Sequence, residues 1–169
     1  MRPLKAFINQ ASLRHNLSIV KQLTPKSKIM SVVKANGYGH GLINVAQGLN
    51  ESDGFAVLSL NEAIDLREHG FEQDILLLEG AFEAYEISIA AKMRINLVVH
   101  NLHQLLMIEN SKLNHPIDIH FKINTGMNRL GFNPKDTKDI LKSLQNKSYF
   151  KSITLMTHFA TADEPKGID

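Results

Sequence analysis

The sequence contains no cysteine and no tryptophan among its 169 residues. The absence of cysteine excludes disulfides and thiolate metal sites. Charge of neither sign dominates, because 19 lysines and arginines against 17 acidic residues leave a net charge of only +2, too small to indicate a nucleic-acid-binding protein. No apolar run is long enough to span a bilayer, and no apolar h-region of a signal peptide follows the first residues. We therefore expect a cytoplasmic protein with neither a membrane nor a nucleic acid as partner.

Short apolar runs alternate with segments of helical spacing along the whole chain. The apolar fraction of 43% and the charged fraction of 21% are ordinary for a globular domain with a substantial core. Helix starts are predicted at Asn9, at Ser59 with Glu62 as a capping box, and at Asn101. Six apolar runs predict strands, at 29–33, 55–58, 75–78, 95–99, 117–123 and 153–156.

The order of these elements is one helix, five βα units and a final strand. Repeated βα units predict a parallel sheet, which is either open and doubly wound or curled into a barrel. A closed (β/α)8 barrel needs eight strands and typically about 250 residues, whereas six strands fit here. The pattern indicates the α/β class and leaves open the choice between sheet and barrel.

Lys34 is the residue that most indicates chemistry. It follows the β-branched pair Val32 and Val33 and precedes a flexible turn rich in glycine, in the segment VVKANGYGHG. A strand that delivers an amine into such a turn is what Schiff-base chemistry needs. The glycines lack GxGxxG spacing and a P-loop lysine, so neither a dinucleotide nor ATP is indicated. A lone lysine at the end of a strand is usually a solvated loop residue.

The fifth predicted strand alternates cleanly, with polar residues at Asp118, His120 and Lys122. In an edge strand this polar side faces water. In a closed barrel it faces inward, and Lys122 is then a buried cation that needs a partner. The following loop holds Arg129 between two glycines. It is either a plain surface turn or a rigid mount for a guanidinium that binds an anion.

His158 follows the sixth strand and is either a helix-cap histidine or part of a site. Together with Lys34, Lys122 and Arg129 it is predicted at the carboxyl edge of the sheet, where βα folds place their chemistry. The chain has eight histidines but neither HExxH nor a convincing metal triad, so we expect no metal. His100 is predicted to be exposed, at the start of a helix.

Three segments together resemble bacterial alanine racemases. The segment around Lys34 is similar to that family's pyridoxal-phosphate lysine motif. The segment 124–132 (NTGMNRLGF) resembles a second family signature, 157–164 (THFATADE) a third, and 77–80 (LLEG) also fits. The resemblance covers nearly the whole chain in order. It implies a (β/α)8 TIM-barrel type of fold, truncated here to about six βα units, with residues 1–169 forming the N-terminal part of the barrel domain.

The resemblance also implies roles for five residues. Lys34 matches the catalytic lysine that bonds to pyridoxal 5′-phosphate and acts as one of two bases. Tyr38 matches a tyrosine near the cofactor phosphate, and His158 a histidine that supports the cofactor. Arg129 matches an arginine that contacts the cofactor's phenolic oxygen and the carboxylate of the substrate, alanine. Lys122 matches a lysine that is carbamylated in many members, which would turn its positive charge into a negative one facing Arg129.

The second base of the family is a tyrosine in a C-terminal β domain, donated by the partner in a homodimer. The only tyrosines here are Tyr38, Tyr85 and Tyr149, and none lies in that motif. The resemblance therefore implies roughly the first half of a racemase that supplies D-alanine for peptidoglycan, with little or no activity by itself. Two alternatives are a non-catalytic module that binds pyridoxal phosphate and a racemase for another amino acid.

Overall fold

The computed structural model describes residues 5–164, and the chain divides into two compact units, Met1–Leu78 and Glu79–Asp169. Each unit consists of parallel strands that alternate with helices. No helix within residues 5–164 is both long enough and apolar enough to cross a membrane.

The first unit contains three strands that pair in chain order. Strand β1 pairs in parallel with β2, and β2 with β3, so that Ser31 lies beside Phe55 and Phe55 beside Ile75. The elements in chain order are α1 (Gln10–Leu23), β1 (Met30–Val32), the short turn α2 (Lys34–Tyr38), α3 (Leu42–Gly48), β2 (Gly54–Val57), α4 (Leu60–Glu68) and β3 (Asp74–Leu77).

The second unit repeats this arrangement. Strand β5 pairs in parallel with β4 and with β6, so that Phe121 lies beside both Val99 and Leu155. The elements in chain order are α5 (Ala84–Lys92), β4 (Ile95–Val99), α6 (Leu102–Asn110), β5 (Ile117–Lys122), α7 (Pro134–Leu144) and β6 (Phe150–Met156).

The predicted helix starts are confirmed. The side chain of Asn9 accepts hydrogen bonds from the first turn of α1, and Asn101 accepts one from Gln104 N in α6. Ser59 and Glu62 form the predicted capping box of α4. These caps satisfy backbone N–H groups that a helix leaves without partners, so they fix where each helix begins.

Strands β2, β3 and β4 are almost entirely buried, whereas β1 and β6 contain no buried residue. All four residues of β2 are buried, as are the last three of β3 and four of the five in β4. Runs of this kind fit strands that are covered on both faces, as in parallel βα sheets. The predicted site residues instead lie at or after the carboxyl ends of β1, β5 and β6.

The predicted alternation of strands and helices is confirmed, with shifts at the ends. Strand β1 stops at Val32, because the backbone enters the turn at Lys34. Strand β6 begins at Phe150, three residues earlier than predicted. The exposed polar residues Lys151 and Ser152 hide this start from a pattern of apolar residues, and pairing with β5 establishes it.

Packing against the strands predicts which substitutions destabilise the first unit. Leu66 in α4 is 0% exposed, whereas Leu23 at the end of α1 is 77% exposed. We expect Leu66→Ala to lower the free energy of unfolding by about 2–5 kcal/mol, since it removes buried methyl groups and leaves a cavity. Leu23→Ala is the matched control and is expected within about 0.5 kcal/mol of the parent. Urea denaturation followed by circular dichroism measures both, and equal losses would contradict this account of the core.

Candidate active site

Lys34 stands where the β1 ladder ends and the backbone turns left-handed. The N–H of Val33 donates to Ala56 O at 2.9 Å, which continues the pairing with β2 one residue past β1. The next four residues, 35–38, have φ angles of 52°, 53°, 62° and 55°. Two backbone hydrogen bonds close this turn, from Gly37 N to Val33 O and from Gly39 N to Ala35 O, both 2.9 Å long.

This left-handed turn is costly for its sequence. Three of the four residues have a side chain, and each such residue costs about 1–2 kcal/mol in the left-handed region. Asn36 tolerates this conformation best, because its side chain forms local hydrogen bonds. Its Oδ1 accepts from Leu42 N at 2.8 Å, at the start of α3, and its carbonyl accepts from Gly41 N at 2.9 Å. The turn predicted as flexible is therefore tied at several points.

Glu62 holds the turn from the neighbouring βα unit. Its Oε1 accepts from Asn36 N at 2.8 Å, and its Oε2 accepts from Leu58 N at 3.1 Å and Ser59 N at 3.3 Å. Sequence reasoning found Glu62 as a helix cap but missed its bond to the lysine turn. No local pattern could have found it, because the two residues are 26 positions apart.

The amine of Lys34 has no fixed partner in the part of the chain that the structure describes. The residue is half-buried, and no hydrogen bond or ion pair joins its Nζ to any of residues 5–164. Tyr38 ends the same turn and is 58% exposed. The first unit thus presents an amine and a phenol on one anchored turn.

Lys122 is the last residue of β5 and is only 7% exposed. Of the two interpretations of the alternating pattern in β5, this burial agrees with the one in which Lys122 faces inward. The other two polar residues of the pattern, Asp118 and His120, are half-buried. No carboxylate within residues 5–164 forms an ion pair with it. Burial, followed by the positive charge of Arg129, lowers the pKa of Lys122 from 10.5. The deprotonated amine, which is the form that acts as a nucleophile, is thereby less disfavoured than in an ordinary lysine.

Arg129 is exposed on a loop whose two ends are joined. Phe132 N donates to Lys122 O at 2.8 Å, Asn124 N donates to Phe132 O at 2.9 Å, and the rings of Phe121 and Phe132 stack with centroids 4.3 Å apart. Gly131 is needed at the closure, since its φ is 122° and a Cβ there would lie 2.6 Å from Asn124 N.

Asn124 organises the interior of the same loop. Its Oδ1 accepts from Gly126 N at 3.1 Å and Asn128 N at 3.0 Å, and its Nδ2 donates to Asn128 Oδ1 at 2.9 Å. Thr125 Oγ1 donates to His158 O at 3.1 Å and joins the loop to the segment after β6. His158 itself is exposed. The structure thus brings Lys122, Arg129 and the His158 segment together.

The prediction that His100 is exposed is wrong. The residue is half-buried at the end of β4, and its Nε2 lies 3.1 Å from Glu79 O. Gln104 donates to the same carbonyl at 2.8 Å and ties the predicted 77–80 segment to α6. Burial above all, with a further contribution from the charge of Lys122, holds the pKa of His100 below 6.5. A pattern of apolar residues cannot reveal this, because His100 is placed by its own hydrogen bond.

The predicted site residues therefore fall into two groups. Lys34 and Tyr38 belong to the first unit, at the carboxyl end of β1. Lys122, Arg129 and His158 belong to the second unit, at the carboxyl ends of β5 and β6. In the first unit Lys34 and Tyr38 share one turn. In the second unit Thr125 joins the Arg129 loop to the backbone of His158. That all five form one site stays a prediction.

Comparison with known proteins gives one consistent family. Residues 8–169 match the family model described as "Alanine racemase, N-terminal domain". An alanine racemase of Nitrosomonas europaea is 52% identical over 163 residues, which is 96% of this chain and 45% of that protein. The chain thus spans about half the length of the curated relatives that it matches.

Solved structures agree with this. A biosynthetic alanine racemase from Pseudomonas aeruginosa has a TM-score of 0.91 at 38% identity, over 96% of this chain and 46% of that one. An alanine racemase from Acinetobacter baumannii has a TM-score of 0.84 at 38% identity, over 96% of this chain and 47% of that one. The predicted fold class, α/β of the TIM-barrel type, is confirmed by these likenesses.

The burial of Lys122 predicts how stability depends on pH. When a lysine has a lowered pKa in the folded protein, the unfolded chain binds more protons between that pKa and 10.5, so stability rises with pH in this window. We expect Lys122→Met to stabilise the chain at pH 7, with an advantage that shrinks as pH approaches 10.5. Urea unfolding in CO2-depleted buffer at several pH values measures the difference. Lys138→Met, at an exposed position, is the control; a constant advantage of Lys122→Met at all pH values would contradict the account.

Proposed function

Because the chain belongs to the alanine racemase N-terminal domain family, we propose that it is the pyridoxal-phosphate-binding part of a racemase that interconverts L-alanine and D-alanine. The observation that carries this proposal is the Lys34 amine, half-buried, without a hydrogen-bonded partner within residues 5–164, and mounted on a turn that is tied at several points. Covalent capture of an aldehyde requires such an amine.

The chemistry of the side chains fits the cofactor. Lys34 would bond to its aldehyde, and the Tyr38 phenol would donate a hydrogen bond to its phosphate. The guanidinium of Arg129 is exposed on its closed loop and would suit the phenolic oxygen of the cofactor and the carboxylate of alanine, since both are anionic. The carboxylate offers two oxygens, which a guanidinium can bind together. His158 would support the cofactor ring from the segment that Thr125 holds.

Racemisation requires proton transfer on both faces of the alanine Cα. When bound, pyridoxal phosphate acts as an electron sink that makes this Cα–H acidic enough to be removed. The Nζ of Lys34 would exchange the proton with Cα on one face, and Arg129 would orient the substrate by its carboxylate. A tyrosine from the C-terminal β domain of a homodimer partner is the proposed base on the other face.

None of the three tyrosines of this chain is a candidate for that second base. Tyr38 lies on the same turn as Lys34, and Tyr85 lies in α5. The carbonyl of Tyr149 accepts from Ile117 N and its hydroxyl donates to Glu109 at 3.3 Å, at the amino end of β5, opposite to Lys122. We therefore expect little or no turnover from the 169-residue chain by itself.

Lys122 is the proposed site of carbamylation. Its neutral Nζ would attack CO2; an N–C bond forms, one C=O electron pair moves onto oxygen, and a proton leaves to solvent. The product is an anion beside Arg129, so it replaces a repulsion between two cations by an attraction. The support for this is the burial of Lys122 and the lowering of its pKa.

The wider setting follows from the same proposal. The protein would act in the cytoplasm, supply D-alanine for peptidoglycan and work as a homodimer at full length. Residues 1–169 would form the N-terminal part of one barrel domain.

Attachment of the cofactor tests the proposal directly. Adding pyridoxal phosphate to the chain should produce the visible absorbance of a lysine-bound cofactor, which borohydride bleaches, and mass spectrometry should locate the reduced adduct on Lys34. The signal should fall at least tenfold in Lys34→Ala, because this variant lacks the amine to which the cofactor is proposed to bond. Lys28→Ala, at an exposed lysine of the same unit, is the control.

Two outcomes would contradict the proposal. A reduced adduct on some other lysine would remove the assignment of Lys34. Cofactor binding with no covalent signal would favour a passive binding module. Racemase assays with alanine, serine and lysine on the same preparation, and on a full-length relative, separate the possible substrates.

Carbamylation of Lys122 has its own measurement. With 13C-bicarbonate, the chain should give a carbamate carbon signal in its NMR spectrum that falls away below neutral pH, because protonation of the amine opposes carbamate formation. Lys122→Met should lack this signal, and Lys138→Met should keep it. A signal of equal size in all three proteins would mean that CO2 reacts with exposed amines instead.

A further inference from the structure

We propose that Glu62 is a positioning residue for the reactive lysine: its carboxylate holds the left-handed turn that follows Lys34 and so fixes where the amine points. This inference rests on the proposed function of Lys34. Nothing in the capping-box motif of Glu62 assigns it this role.

Both oxygens of Glu62 are used, and for different purposes. Oε2 accepts from Leu58 N and Ser59 N, which is the ordinary work of a glutamate at the third position of a helix. Oε1 points away from α4 and accepts from Asn36 N, two residues after Lys34. One charged side chain therefore joins the loop after β1 to the loop after β2.

Asn36 transmits this hold to the lysine turn. Its side chain and its carbonyl are bonded to Leu42 N and Gly41 N, both beyond the turn. Its own N–H is bonded to Glu62 and not to a group in the turn. Without Glu62, the N–H of Asn36 loses its acceptor and the left-handed turn loses its hydrogen bond to α4. The amine of Lys34 would then sample more directions.

The site needs a carboxylate, because three N–H groups converge on one side chain. A carboxylate accepts on both oxygens, whereas a glutamine offers one acceptor and turns two donors towards the remaining N–H. Glu62→Gln can satisfy the helix cap or Asn36 but not both. It therefore removes the hold on the turn with almost no change in side-chain volume.

The chain contains a matched control for the capping role. Glu86 occupies the same third position in α5, and its Oε2 accepts from Phe82 N at 2.6 Å and Glu83 N at 3.1 Å. Within residues 5–164 it makes no bond to a turn that carries a reactive group. Glu86→Gln thus reports what the loss of a glutamate cap does by itself.

Amide hydrogen exchange and the rate of cofactor attachment test the inference together. In the parent chain, Asn36 N–H should exchange slowly although the residue is exposed. Glu62→Gln should speed exchange across residues 35–41 and slow attachment of pyridoxal phosphate to Lys34, each by roughly tenfold, the size expected for one hydrogen bond to a charged group. Glu86→Gln should leave both quantities within about twofold of the parent.

The possible failures are distinguishable. Unprotected exchange of Asn36 N–H in the parent chain overturns the inference without any variant, so it stays falsifiable if Glu62→Gln does not fold. Attachment at parental rate in a folded Glu62→Gln overturns it too. An equal loss of attachment in Glu86→Gln would also overturn the inference, because it would mean that any lost helix cap slows attachment by general destabilisation. If the parent shows the expected exchange but no attachment at Lys34, the hold on the turn stands and the proposed function fails.

Discussion

The hydrogen bonding of one left-handed turn is the constraint on which the Lys34 region depends. A strand that simply ran on past Val33 would carry its lysine into solvent on an unconstrained loop. Instead, the chain reverses its handedness for four residues, three of which are not glycine. Such a conformation persists only when its surroundings specify it. Here they do so through an asparagine side chain, two backbone bonds that close the turn, and a glutamate from α4 of the same unit.

A second constraint governs the other unit: a cation buried without a counter-charge. Lys122 stands beside Arg129, and nothing acidic within residues 5–164 pairs with it. Burying an unpaired charge is expensive, so the site favours whatever neutralises or inverts that charge. The loop after β5 gains its order from backbone closure, ring stacking and the amide of Asn124, which leaves the guanidinium of Arg129 exposed. Its charge is thus available to an anion.

The sequence predicted local features well and distant ones poorly. Helix caps at Asn9, Ser59 and Asn101 follow from short-range hydrogen bonds and were correct. Strand β4 begins and ends with apolar residues, and both of its ends were predicted correctly. The start of β6 is polar and was missed, because pairing with β5 defines it. The sequence left two alternatives for Lys122, a side chain facing water on an edge strand or one facing inward in a closed barrel. The burial of His100 and the bond from Glu62 to Asn36 join residues far apart in sequence, and no periodic pattern encodes such contacts.

The double use of the Glu62 carboxylate also limits how this region can change. A residue at the third position of a helix is usually free to vary, because aspartate, glutamine and water all satisfy the same backbone groups with small differences in stability. Here that freedom is lost, since the far oxygen belongs to another loop. A change in the first turn of α4 that strengthens its N-terminal cap would therefore alter the turn after Lys34. The loops after β1 and β2 must be engineered together.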